Sequence, residues 1–111
     1  MAAPYEHGLW KPDPKDPSRV TYTQFDAEGR KRVEKHYHAG KLDGSWLQWY
    51  DDGHEEFEYH YVNDEQDGPA IEWYPTGRKR HEASYRNGRM VGRETYWQPG
   101  GSIAGTGDHP E

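Results

Sequence analysis

The chain has no cysteine among its 111 residues, which excludes disulfides, thiolate metal sites and cysteine nucleophiles and leaves the redox compartment unconstrained. Nor does any apolar run approach the roughly 20 residues that cross a bilayer as a helix. The opening MAAPYEHGLWKPDP has neither the basic stretch nor the apolar core of a secretory leader, so a soluble cytoplasmic protein with no membrane association is expected. Aliphatic side chains are scarce too: 3 Leu, 2 Ile and 4 Val, with 2 Phe, make 11 of the 111 residues, a proportion usual in disordered chains. Basic residues are the minority, 14 against 20 acidic, for a net charge of −6. That balance disfavours a nucleic-acid ligand and favours encounter with a basic protein.

Aromatic residues argue the other way from the missing aliphatics. Five Trp and nine Tyr carry large buried areas per residue, and their polar tips suit a sheet that is wet at its edges. They are also ordered along the chain. Gly29, Gly53, Gly77 and Gly101 recur at intervals of 24 residues, in step with Phe25, Trp49, Trp73 and Trp97. The series Glu34, Glu58, Glu82, the series Tyr37, Tyr61, Tyr85 and the series Gly44, Gly68, Gly92 keep the same period, and Gly40, Asp64, Gly88 follow it more loosely.

Each unit reads as two strands, for example SWLQWY at 45–50 and HEEFEYHY at 54–61, joined by three residues ending in Gly. Such a loop is a type I turn followed by a left-handed residue, which Gly accepts. It sets Tyr50 opposite His54, and an uninterrupted ladder then places Leu47 opposite Phe57 and Trp46 opposite Glu58. On alternation alone, one face collects Phe25, Val33, Tyr37, Leu47, Trp49, Phe57, Tyr59, Tyr61, Ile71, Trp73, Ala83, Tyr85 and Trp97. The sequence therefore predicts an all-β antiparallel meander of about seven strands, built from three 24-residue hairpin repeats. Residues 1–20, with Pro4, Pro12, Pro14 and Pro17, are expected to form an extended arm outside the ladder, with Tyr5, Leu9 and Trp10 as anchors. Residues 102–111 are expected to form a flexible Gly-rich tail.

The segments Tyr37-His38-Ala39-Gly40-Lys41-Leu42-Asp43-Gly44 and Tyr85-Arg86-Asn87-Gly88-Arg89-Met90-Val91-Gly92, each followed by a strand ending in an aromatic and a Gly turn, resemble the MORN-repeat variant over residues 21–101. The middle copy departs from it, with Asp64 in place of the first motif Gly. The resemblance implies a β-sheet repeat protein of the YwqK-type antitoxins, immunity partners of polymorphic toxins. A toxin with a basic substrate groove, a nuclease or a deaminase, suits the acidic chain. The alternative is a general interaction module or scaffold with no toxin partner.

On the face opposite the main aromatic one, the same alternation lines up Glu34, Glu58 and Glu82, flanked by His36 and His60, with Trp46, Tyr50, Tyr74 and Tyr96 interleaved. Read functionally, this is a docking face for a basic partner, the aromatics acting as anchors and the carboxylates steering encounter. Read blandly, it is a solvated sheet face whose Glu residues are balanced by Lys31, Arg32 and Arg80. Asp64 joins the partner-binding candidates because it breaks the repeat. His36 and His38 have strand spacing for two metal ligands, but two do not make a site and cysteine is absent, so no metal or other cofactor is expected. Glu34 and Glu58 sit at roughly two strand spacings, within the inverting-glycosidase range, yet that separation is a by-product of the repeat. Ser45, Ser84 and Ser102 lack any nucleophile-elbow sequence. A binding protein is expected, not an enzyme.

Overall fold

A computed structural model of the chain describes residues 8–111; Pro4 and Tyr5 of the expected arm lie outside the described residues. The fold is all-β, an antiparallel meander of ten strands in one sheet, with no helix among the described residues. The strands are β1 (Gly8–Asp13), β2 (Asp16–Phe25), β3 (Lys31–His38), β4 (Lys41–Trp49), β5 (Glu55–Val62), the two-residue β6 (Glu65–Gln66), β7 (Gly68–Trp73), β8 (Lys79–Arg86), β9 (Arg89–Trp97) and β10 (Ile103–His109). Their spatial order follows the chain, with β6 set aside on β5.

Two segments differ from expectation. Residues 8–20 do not lie outside the ladder: β1 and β2 form a hairpin that extends the sheet in its own plane. Proline is tolerated there because β1 is an edge strand, Pro12 sits beside a register shift, and Pro14 lies in the turn. The carboxylate of Asp13 accepts the Lys15 N–H at 2.8 Å and fastens that turn. At the other end, residues 103–109 form the second edge strand instead of a free tail. Gly105 and Gly107 stand opposite Tyr96 and Glu94; a Cβ at Gly107 would come within 3.3 Å of Glu94 Oε2, so this glycine makes room for its larger neighbour, while Gly105 borders open space.

The turns between paired strands have the predicted form. Tyr50 N–H donates to His54 O at 2.8 Å and Gly53 N–H to Tyr50 O at 3.1 Å, and Tyr74 with Arg78 repeats the first bond at 2.8 Å. Gly53 has φ +95° and Gly77 φ +96°, the left-handed geometry that closes these loops. Just inside each turn, however, the ladder slips by one residue. Trp49 opposes Glu55 but Gln48 opposes Phe57, leaving Glu56 as the extra residue of a β-bulge. Equivalent slips lie between Gln24 and Phe25, Glu72 and Trp73, and Ile103 and Gly105. Leu47 is therefore opposite Glu58, not Phe57, and Trp46 is opposite Tyr59, not Glu58.

One slipped residue reverses the face of every side chain beyond it. Following the pairs across the sheet gives a tyrosine face, with Trp10, Tyr22, Tyr37, Trp46, Phe57, Tyr59, Tyr61, Tyr85 and Tyr96. The opposite, carboxylate face carries Glu34, Leu47, Glu58, Ile71 and Glu82 in one row straight across the strands. No second layer covers either face among the described residues. Among the described residues, Ala70, Ala83 and Val91 are the buried hydrophobics, and no side chain falls below 2 % exposure. Among the described residues, no helix is long and apolar enough to cross a membrane.

Candidate docking face

The residues that the sequence singles out divide between the two faces. Glu34, His36, Glu58, His60 and Glu82 do share one, the carboxylate face. Each histidine folds back on the glutamate two residues earlier, His36 Nε2 lying 2.9 Å from Glu34 Oε2 and His60 Nε2 3.1 Å from Glu58 Oε2. Lys31 and Lys79 add ammonium groups 2.9 Å from Glu34 and 2.8 Å from Glu82. The lysine and histidine bonds hold the Glu34 carboxyl below its usual range, against the opposing effect of partial burial. Leu47 and Ile71 fill the gaps in the row, and Trp49, Trp73 and Trp97 lie on the same face near the turns.

Trp46 and Tyr96 are on the opposite face, because of the bulge. Trp46 packs edge-on against Phe57 and Tyr59, with ring centroids 5.6 and 6.4 Å apart, and the Lys35 ammonium sits 4.2 Å from its centroid. Its Nε1 is buried without a hydrogen-bond acceptor, so this ring serves the sheet's packing and not the glutamate row. Tyr50 and Tyr74 stand at the ends of strands and span to the next hairpin, their hydroxyls donating to the carbonyls of Trp73 and Trp97 at 2.7 Å each. Asp64 lies in a rim turn at φ +70°. Its carboxylate accepts the Leu42 N–H at 2.8 Å while its own N–H donates to Leu42 O at 2.9 Å. The break in the Gly40, Asp64, Gly88 series thus clasps two rim turns together.

A second cluster, which sequence reasoning missed, occupies the C-terminal half of the tyrosine face. Glu72 accepts a short hydrogen bond from the Tyr59 hydroxyl and pairs with Arg80 at 3.1 Å. Glu94, 9 % exposed, is held between His81, at 3.0 Å, and His109, which makes a very short contact. Hydrogen bonds from His109 and then His81 draw the Glu94 carboxyl down to about 2. Burial, followed by the Glu72 hydrogen bond and charge, pushes the Tyr59 hydroxyl far above the usual tyrosine value. The signal available in the sequence was departure from the period. Glu94 follows Tyr22, Trp46 and Ala70, and His109 follows Tyr37, Tyr61 and Tyr85. Through Glu94 the cluster ties β8, β9 and β10 together.

Chemically, the carboxylate face offers acidic groups at regular spacing beside apolar and indole surface, about 9.6 Å between equivalent strands. The chain as a whole matches no family model, no curated protein and no solved structure.

Proposed function

We propose that this chain is a MORN-variant repeat protein that acts as an immunity protein, binding a cognate toxin domain and occluding its active site. The observation that carries the reading is a single-layer sheet whose carboxylate face is covered by nothing among the described residues. A sheet ordinarily buries one face against another layer, and here that layer is the partner. Supporting the repeat assignment, the Gly turn and the adjoining bulge recur together every 24 residues.

The partner is a basic protein, a nuclease or deaminase domain by preference, because the substrate groove of such an enzyme is cationic. Glu34, Glu58 and Glu82 steer the encounter, while Leu47, Ile71 and the three indoles supply desolvated contact. The molecule's longer extents of 41 and 32 Å leave ample room for the roughly 800 Å² per partner of a standard interface. The protein then works as a plug and performs no chemistry of its own.

Co-expression with the toxin encoded beside this gene tests the proposal. Cells are expected to survive, the two proteins to co-purify, and the triple variant E34Q/E58Q/E82Q to lose protection. Continued killing with no complex formed would end the immunity reading and leave a general interaction module.

A further inference from the structure

Along the carboxylate face one position changes sign. Lys31, Glu55 and Lys79 are 24 residues apart and lie opposite Phe25, Trp49 and Trp73 just inside the turns. In the outer two cases the lysine reaches the glutamate three residues on, Lys31 to Glu34 at 2.9 Å and Lys79 to Glu82 at 2.8 Å. The Lys79 ammonium also lies 5.8 Å from the centroid of Trp97 on the next strand. The chain thus displays an ammonium group bound between a carboxylate and an indole, using its own residues.

In the middle of the sheet the same arrangement lacks its cation. Glu58 takes the place of Glu82 and Trp73 the place of Trp97, but Glu55 stands where the lysine would be. Among the described residues, the Glu55 carboxylate has neither hydrogen bond nor ion pair, and Glu58 has only the His60 imidazole. Partial burial and the neighbouring Glu58 charge push the Glu55 carboxyl up. A cavity of about 260 Å³ opens beside Glu55, lined by His54, Glu55, Trp73 and Gly77. Glycine at 77 keeps it open, since a Cβ there would come within 3.3 Å of the His54 ring.

We propose that this cavity receives the ammonium or guanidinium head of a lysine or arginine side chain presented by a protein partner. Two carboxylates compensate the charge, and the Trp73 ring supplies the cation–π surface that Trp97 supplies to Lys79. A partner cation here relieves the repulsion between Glu55 and Glu58, whereas at the flanking positions it would have to displace a lysine already in place. The centre of the face is therefore the point at which a cationic side chain gains most. This deepens the basic-partner reading, and rests on it only for the identity of the chain that brings the cation.

Titration of the full chain with Nα-acetyl-lysine amide and Nα-acetyl-arginine amide, followed by proton–nitrogen correlation spectra, tests the site without a toxin. The expected result is a saturable shift of the Trp73 indole N–H, absent when KCl is added to the same ionic strength. Glu55→Lys, which restores the lysine of the outer positions, is expected to abolish the shift. Glu55→Gln and Glu58→Gln are each expected to weaken binding at least threefold, and together tenfold. No saturable change at Trp73, or a change that survives Glu55→Lys in a folded protein, overturns the inference. Probe binding in a protein that fails to protect against the toxin would retain this site and discard the immunity role; protection without probe binding would do the reverse.

Discussion

Two tyrosine hydroxyls connect neighbouring hairpins through single bonds. Tyr50 and Tyr74 donate to the carbonyls of Trp73 and Trp97 at 2.7 Å, and in a sheet with little core such bonds have few competitors. Tyr50→Phe and Tyr74→Phe are each expected to cost about 1 kcal/mol, measured by urea unfolding. Glu94 makes a different kind of link, joining His81 of β8 to His109 of β10. Its carboxyl stands at about 2 against an ordinary 4.5. A carboxyl depressed in the folded chain contributes stability that is fully present above the unfolded value and is lost as pH falls through the folded one. The native protein should therefore lose stability between pH 4.5 and about 2, and Glu94→Gln should flatten that part of the profile. Equal slopes for the two proteins would show that the histidine links contribute nothing.

At the level of strands and turns, the bulge decides which side chains meet. Gly53, at φ +95°, needs the left-handed region that other residues enter at a cost of roughly 1–2 kcal/mol, so Gly53→Ala should destabilise by about that amount. Deleting Glu56 closes the bulge. The ladder then runs from Trp49–Glu55 straight to Gln48–Phe57, so the pairs beyond it, and the edge contacts of Phe57 and Tyr59 with Trp46, stay as they are. Retained aromatic near-ultraviolet dichroism, at unchanged strand content, is the expected outcome. Loss of that spectrum would mean that the extra residue itself, and not the pairing beyond it, sets the aromatic contacts. The loop form was legible in the spacing of glycines, and Tyr50 does oppose His54. The bulge was not, because a ladder can absorb an extra residue without changing the loop length. That one residue moved Trp46 and Tyr96 off the glutamate row and brought Leu47, Ile71 and the indoles onto it.

At the scale of the molecule the defining feature is that no second layer covers the sheet among the described residues. With Ala70, Ala83 and Val91 as the buried hydrophobics, stability rests on ladder hydrogen bonds and half-buried aromatic rings, and a ligand that covers a face should raise it. For the proposed partner at a hundred times its Kd the expected gain is about 2.7 kcal/mol, visible as a higher melting temperature of the complex. The ends of the chain show the limits of composition as a guide. Proline at 12 and glycines at 105 and 107 argue against strands wherever a central ladder would need their N–H groups or side chains. An edge strand asks for neither on its outer side, so β1 and β10 form.

By itself the sequence determined an all-β chain with a short Gly-closed turn at fixed intervals and an acidic row in Glu34, Glu58 and Glu82, because those features are local or periodic. The tertiary structure alone decided how many strands pair, which face each aromatic joins, and that Asp64 clasps a turn and Glu55 faces Glu58 without a cation. The reason is physical. Register slips, edge positions and the company a charge keeps are set by the neighbouring strand, and a side chain's own position in the period does not contain them.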